Sequence, residues 1–219
     1  MPLTLEAGAG RLWSIGVAVL LSSAAATAQV PASTEPPSAP GTTTSQAMEL
    51  SIPDVPVITQ DGKRVRFYAD LVENKVVAIN FIFTTCTTIC PPLGVTFAKV
   101  QDLLGDRLGG EAHLISISVD PVTDTPPRLK AWADKFGARP GWTLITGTKP
   151  DMDRLLRALD AGTAQPEQHS PMVLVGNDAR RSWTRVYGLA PAATRTRAIE
   201  EAMTPLAEGA PPSRASEPR

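Results

Sequence analysis

The chain has 219 residues, of which 42% are hydrophobic, so it has room for one domain of ordinary size with flanking segments. Its formal net charge is -1 and it contains no long basic run, which argues against nucleic acid as the main partner. Two cysteines cannot form a disulfide scaffold, so they indicate a functional site rather than structural crosslinks.

Residues 1–28 have the pattern of an export signal. Arg11 precedes an apolar run, Leu12–Ala26, and Ala26-Thr27-Ala28 fits the small-x-small rule for cleavage. The run is short for a membrane span of about 20 residues, but a retained N-terminal anchor stays open as the alternative. Either way, we expect an exported domain in the periplasm or at the outer face of the inner membrane, where cysteines can oxidise.

Two further segments lack the large apolar residues that a core requires. Residues 29–50 are rich in Pro, Ser, Thr and Ala, which predicts a disordered linker that could tether the domain to a membrane. Residues 207–219 are rich in Pro, Ser and charge, which predicts a disordered tail. The folded domain is therefore predicted to span residues 51–206.

The first half of the domain is predicted to contain a β-hairpin and then a buried strand. Val55–Ile58 and Val65–Phe67 flank Asp61-Gly62, a dipeptide typical of hairpin turns. Tyr68–Glu73 is predicted to form a short helical turn. Val76–Phe83 is apolar and rich in β-branched residues, which predicts a buried strand.

Helices and strands alternate through the rest of the domain. A helix is predicted after the buried strand, with Pro91 and Pro92 in its first turn. A second helix is predicted to start at Asp124-Thr125-Pro126, with Asp124 or Thr125 as its cap. The remaining predicted strands are His113–Val119, Trp142–Thr146, Met172–Val175 and Trp183–Tyr187, and the remaining helices are Asp151–Asp160 and Ala192–Leu206. This order predicts an α/β, thioredoxin-like fold: a central mixed sheet flanked by helices, with an N-terminal hairpin.

Both cysteines lie where the buried strand meets the first long helix. Cys86 and Cys90 are four residues apart, so on a helical turn their sulfurs would share one face. The positive end of a helix favours the thiolate, which attacks disulfides and binds soft metals such as Cu(I). A structural disulfide is the alternative, but it would close a very short loop and gain little from it.

With a nitrogen ligand added, a site of two sulfurs could bind Cu(II) as well as Cu(I). The chain has two histidines that could supply this nitrogen. His113 heads a predicted strand and would lie far from the cysteine end of a parallel sheet. His169 precedes the fourth strand of the alternating order, and in a thioredoxin-like fold the loop entering that strand faces the active cysteines. We therefore favour His169 as the third ligand, with an ordinary surface histidine as the alternative.

Three features occur in a fixed order along the chain: Phe83–Pro91, then Ser118–Pro121 with Asp124–Pro126, then the histidine before the fourth strand. With this pattern the sequence resembles the Sco/SenC family of copper proteins between residues 50 and 189. Members of the family are thioredoxin-like, usually tethered or secreted, and serve assembly of the dinuclear copper centre of cytochrome c oxidase. The resemblance thus implies a copper metallochaperone, a binding and transfer protein rather than an enzyme.

The same resemblance implies site residues and partners. Cys86, Cys90 and His169 are implied to bind copper, as Cu(I), Cu(II) or both. Asp120 is implied to lie near the site or on a partner surface, and its alternative role is a turn at the end of a strand. The implied partners are a cuproenzyme subunit, such as cytochrome c oxidase subunit II, other copper chaperones and thiol reductants.

Two departures from the family pattern surround these residues. Thr87-Thr88 stand where many members carry a proline and an acidic residue, so copper affinity or partner choice could differ. Ser170-Pro171 follows His169, and we expect Pro171 to occupy the place of the cis-proline that faces the thiols of thioredoxins.

Other functions are compatible with the cysteine pair. A thiol–disulfide oxidoreductase that keeps the cysteines of a copper-site partner reduced would need Cys86 and Cys90 but not His169. A peroxidase of the peroxiredoxin type is disfavoured, because Thr84-Thr85-Cys86 shows no neighbouring arginine to polarise a peroxide.

Overall fold

The computed structural model describes residues 50–163 and 165–205 of the chain. The predicted signal or anchor, the predicted tail and all but the last residue of the predicted linker lie outside this part. Of the helices in the described ranges, none combines the length and the hydropathy that crossing a membrane requires.

The observed elements follow the predicted order closely. The strands are β1 (Pro56–Thr59), β2 (Arg64–Arg66), β3 (Val76–Ile82), β4 (Ala112–Ser118), β5 (Trp142–Thr146), β6 (Met172–Asn177) and β7 (Ser182–Tyr187). The helices are α1 (Cys90–Leu104), α2 (Pro126–Lys135), α3 (Lys149–Ala158) and α4 (Ala192–Met203). Short helical turns occur at Phe67–Val72, Gly105–Arg107, Pro166–Gln168 and Asp178–Arg180.

The strands form one mixed, seven-stranded sheet with the order β2-β1-β5-β4-β3-β6-β7. The three central strands, β3, β4 and β5, are parallel to one another. The outer pairings are antiparallel: β1 pairs with both β2 and β5, and β6 pairs with both β3 and β7. All seven residues of β3 are buried, as expected for a central strand that helices cover on both faces. The predicted mixed sheet with an N-terminal hairpin is therefore confirmed.

The strand register brings three loops to one edge of the sheet. In the parallel pair, Ile82 of β3 lies opposite Ser118 of β4. In the antiparallel pair, Asn80 of β3 lies opposite Val173 of β6. The residues that follow β3, those that follow β4 and those that precede β6 therefore meet at the same edge.

Aromatic side chains fill the core between the sheet and its helices. Trp142 packs against Phe97 with ring centroids 5.6 Å apart and against Trp132 at 6.0 Å, and Trp132 packs on Phe136 at 4.4 Å. The indole N–H of Trp142 donates to the hydroxyl of Ser116 at 2.9 Å, which satisfies the one polar atom of that ring. These aromatic residues therefore join α1 and α2 to the sheet.

Two local features differ from the predictions. Thr125, one of the two residues predicted to cap α2, is its N-cap residue, but its side chain makes no capping hydrogen bond. The Asp124 carboxylate is buried and bonds to the sheet edge instead. The Ser170–Pro171 peptide bond is trans, like every peptide bond in the described ranges, so Pro171 is not a cis-proline. The trans isomer is the lower-energy form of an X–Pro bond.

Candidate metal centre

Cys86 and Cys90 occupy different structural positions at the end of β3. Cys86 lies in the loop after β3, whereas Cys90 is the first residue of α1. Both cysteines thus lie at the junction of strand and helix, as predicted, but they do not share one helical turn, because Cys86 precedes the helix. The reason is Pro91, because a proline inside a helix would clash with the carbonyl group four residues earlier, so the helix does not extend back to Cys86. Both thiols are free.

The two sulfurs differ in exposure and in acidity. Cys90 is fully buried, whereas Cys86 is half-buried, and the backbone N–H of Cys90 donates to Sγ of Cys86 at 3.2 Å. Burial opposes ionisation of Cys86, but hydrogen bonds from Cys90 and Thr88 outweigh it and lower the pKa of the Cys86 thiol. Burial, reinforced by the neighbouring Cys86 sulfur, raises the pKa of the Cys90 thiol well above its ordinary value. Cys86 is therefore the reactive thiolate of the pair.

This asymmetry predicts the order of chemical labelling. Iodoacetamide is expected to modify Cys86 first, because the thiolate is the nucleophile and its pKa is lowered. The labelling rate should rise with pH and level off at a lower pH than for free cysteine. Cys90 should be labelled only after unfolding in urea. Mass spectrometry of the cysteine peptides measures both rates, and equal labelling of the two thiols in the folded protein would contradict the asymmetry.

The loop that carries Cys86 is fixed by a residue whose role the sequence did not reveal. Oδ1 of Asp124 accepts hydrogen bonds from the backbone N–H of Thr84 at 3.0 Å and from its hydroxyl at 2.5 Å. Oδ2 of Asp124 accepts one from the hydroxyl of Ser118 at 2.6 Å. Asp124 is 1% exposed, so these bonds satisfy a carboxylate that water cannot reach. Asp124 thus joins the start of the cysteine loop to the end of β4.

Asp120 forms a turn at the end of β4, which is the alternative role that the sequence analysis gave it. Its carboxylate accepts a hydrogen bond from the backbone N–H of Thr123 at 3.3 Å, and its carbonyl group accepts from Asp124 at 2.9 Å, which forms a turn after β4. The cavity that Asp120 lines also contains Gly162 and Thr163, but neither cysteine. The structure therefore gives Asp120 a turn role, and its predicted place near the site or on a partner surface stays a prediction.

His169 has the hydrogen-bond pattern of a metal ligand. Its Nδ1 lies 2.7 Å from the carbonyl oxygen of Pro166, which can only accept, so Nδ1 carries the proton. Nε2 then carries the lone pair, and this buried atom has no hydrogen-bond partner among the residues that the structure describes. The whole residue is 6% exposed. A histidine held through one ring nitrogen by a carbonyl group, with the other nitrogen free, is oriented for a metal ion.

Phe83 lies between the histidine and the cysteine loop. Its ring packs edge-on against the imidazole of His169, with centroids 5.7 Å apart and an interplanar angle of 82°. Its carbonyl oxygen accepts a hydrogen bond from the backbone N–H of Cys86 at 3.2 Å. Phe83 thus contacts both the candidate nitrogen ligand and the loop of the candidate sulfur ligand at one edge of the sheet.

The candidate ligands do not, however, form a closed cluster. Within the described ranges, no three His, Cys, Asp or Glu side chains lie close enough together to hold a metal ion. Cys86 and His169 line separate cavities. A metal ion shared by all three ligands therefore requires a shift of the cysteine loop or of the segment before β6.

His113 lies at the opposite end of the sheet. It pairs with Val77 near the start of β3, whereas the cysteine loop begins after Ile82 at its end. At about 3.3 Å per strand residue, this places the backbone of His113 roughly 16 Å from the cysteine edge. Of the two histidines in the chain, His169 is thus the one at the candidate site.

A cysteine pair that follows the central strand of a mixed sheet, with a histidine before the adjoining antiparallel strand, defines a thioredoxin-like protein with a dithiol site. Residues 49–204 match the model of the SCO1/SenC family, and the chain belongs to this family. The predicted resemblance and the predicted thioredoxin-like fold are both confirmed.

Similar proteins agree with this assignment. The SCO1 protein homolog of Bacillus subtilis (strain 168) is 32% identical over 130 residues, which are 55% of this chain and 66% of that protein. The structure of BsSco, described as a member of the Sco family of cytochrome c oxidase assembly proteins with a disulfide switch, has 25% identity and a TM-score of 0.60. That match covers 72% of this chain and 96% of the other.

A copper-bound structure also shares the fold. Arabidopsis thaliana ScoI, whose structure contains copper, is 22% identical with a TM-score of 0.56, over 67% of this chain and 94% of the other. At this level of identity the match shows the fold alone. The matched segments span between 45% and 66% of the lengths of the curated relatives.

Proposed function

We propose that this protein is a copper metallochaperone that binds one copper ion through Cys86, Cys90 and His169. The observation that carries the proposal is the buried Nε2 of His169, which has no hydrogen-bond partner in the described part of the chain. Its ring packs against Phe83, which precedes the loop that holds both thiols. Membership of the SCO1/SenC family supports copper as the cargo.

The donor set suits both common oxidation states of copper. Two thiolates favour Cu(I), and an added imidazole accommodates Cu(II). Cys86 supplies a thiolate readily because its pKa is lowered, whereas Cys90 must lose its proton when the ion binds. Copper affinity should therefore rise with pH. The half-buried Cys86 sulfur is also the one that an incoming ligand can reach.

We propose that the recipient is a cuproenzyme subunit and that the transfer serves the dinuclear copper centre of cytochrome c oxidase. The support is family membership and the description of BsSco as belonging to a family of cytochrome c oxidase assembly proteins. The predicted export signal or anchor at residues 1–28 supports a place in the periplasm or at the outer face of the inner membrane.

A second function is favoured by the asymmetry of the cysteine pair. One accessible sulfur with a lowered pKa and one buried sulfur with a raised pKa form the pattern of a thiol–disulfide oxidoreductase. In that role Cys86 would attack a partner disulfide and Cys90 would then resolve the mixed disulfide. This function needs neither His169 nor copper.

Copper stoichiometry of the reduced protein distinguishes the two functions. We expect the wild type to bind one copper ion per chain and Cys86→Ser to bind none above background, because one thiolate is a weak site for Cu(I). Thr87→Ser, in the same loop, is the matched control and should retain the wild-type stoichiometry. A wild type that binds no copper but rapidly reduces a protein disulfide would establish the oxidoreductase instead.

A further inference from the structure

A groove of about 360 Å³ opens beside the accessible sulfur of the cysteine pair. One wall is the cysteine loop and the start of α1, and the other is one face of α2. Its lining residues are Thr84, Thr85, Cys86, Pro91, Arg128, Ala131, Trp132 and Lys135. Cys90 and His169 are not among them, so the groove gives access to Cys86 from the side away from the histidine.

The groove carries positive charge in a chain whose formal net charge is -1. Arg128 and Lys135 are seven residues apart on α2, which is two helical turns, so both face the groove. Both are exposed, and within the described ranges neither forms an ion pair. Among the described residues that line the groove there is no carboxylate. These two cations are therefore available to an anionic partner.

The floor between the two cations is apolar and rigid. Trp132 is buried and packs against Phe136 and Trp142, so the surface that it contributes is fixed by the core. Lys135 also lies over the ring of Phe136, with Nζ 5.4 Å from the centroid. A groove with an apolar floor and cations at both ends suits an extended peptide segment better than a compact ion.

We propose that this groove docks an acidic segment of the partner protein, with the partner's own cysteine placed against Cys86. The proposal rests on the proposed exchange at Cys86 and adds the chemistry by which the partner is selected. Opposite charges steer encounter and fix register, whereas like charges exclude wrong partners. A segment with carboxylates on either side of its cysteine would meet Arg128 and Lys135 together.

The test uses two peptides that differ only in charge, Glu-Glu-Cys-Glu-Glu and Gln-Gln-Cys-Gln-Gln, each as its 2-thiopyridyl disulfide. The Cys86 thiolate attacks the peptide sulfur, the peptide–thiopyridine bond breaks, and the released thiopyridone is followed by its absorbance. At low ionic strength we expect the Glu peptide to react about tenfold faster with the wild type, within the range that electrostatic steering produces. Salt should remove the preference.

Charge variants locate the preference. Arg128→Gln with Lys135→Gln should bring the rate ratio of the two peptides close to one. Lys99→Gln with Arg154→Gln removes the same charge from exposed positions outside the groove and should keep the tenfold ratio. The ratio of two rates on one protein cancels any change in the intrinsic reactivity of Cys86.

Three results would overturn the docking proposal. The first is that the wild type reacts with both peptides at the same rate. The second is that the control variant loses the preference as fully as the groove variant does, and the third is that the wild type prefers iodoacetate over iodoacetamide by the same ratio as it prefers the Glu peptide. The last would make the groove a site for small anions rather than for a protein segment. Copper stoichiometry on the same preparations separates the proposals. If the wild type binds copper but shows no peptide preference, only the docking proposal is overturned. If it shows the preference but binds no copper, only the proposal that copper is the cargo is overturned.

Discussion

His169→Ala is expected to weaken Cu(II) binding by at least about a hundredfold while weakening Cu(I) binding about tenfold or less. Even the loss of a residue that merely orients a ligand costs about 10–100-fold in metal affinity, and here the ligand itself is removed. Cu(I) is satisfied by the two sulfurs, so it depends less on the imidazole. Competition titrations against chelators of each ion measure both affinities.

The matched control for this variant is His113→Ala. His113 lies at the other end of β4, so its removal should leave both copper affinities within about twofold of the wild type. Equal losses of Cu(I) and Cu(II) binding in His169→Ala would mean that the histidine supports the fold of the loop rather than the ion. A variant that binds Cu(II) like the wild type would remove His169 from the ligand set.

Asp124→Ala is expected to lower the free energy of unfolding by about 3 kcal/mol. The substitution removes three hydrogen bonds to a buried carboxylate and leaves the Thr84 N–H and the Ser118 hydroxyl without their acceptor. A hydrogen bond to a charged group contributes about 1.5–3 kcal/mol, and such contributions are not additive when the bonds share one carboxylate. Urea unfolding of the reduced protein measures the change.

Asp120→Ala is the control for Asp124→Ala. Asp120 is only partly buried, and its carboxylate accepts a single long hydrogen bond in a turn, so the expected loss is below about 1 kcal/mol. Asp124→Asn keeps an acceptor for Thr84, so its loss in the free energy of unfolding should lie between those of Asp124→Ala and Asp120→Ala. If Asp124→Ala cost no more than Asp120→Ala, the carboxylate would not be what holds the cysteine loop to β4.

Local sequence patterns were sufficient to predict most of the architecture. The apolar run before the cysteines, the prolines at the start of α1 and the alternation of strands and helices depend on near neighbours, and each feature was observed where it was expected. The cysteine pair and His169 could be placed at one edge because the strand order determines which loops meet there. Family membership confirmed the predicted resemblance and fold, and the ligand set stays a prediction.

The parts that sequence could not predict depend on contacts between distant residues. Aspartate before a helix is a residue type that favours capping. The Asp124 carboxylate instead accepts a hydrogen bond from Thr84, which is 40 residues earlier, and no sequence periodicity predicts that contact. That Cys86 lies outside the helix could have been predicted from Pro91, because the proline ring prevents α1 from beginning several residues before it. Cys86 and His169 line separate cavities, and the shape of a cavity depends on side-chain packing that no local pattern encodes.

Cys86 and Cys90 are so close in sequence that the unfolded chain still holds them together. His169 joins them only through the pairing of β3 with β6, which unfolding destroys. An unfolded chain thus competes for Cu(I) with two sulfurs of its own, and a ligand stabilises a fold only by the difference between its affinities for the folded and unfolded chains. Copper should therefore raise the melting temperature far less than its affinity alone would imply, and the heat-denatured protein should retain its ion.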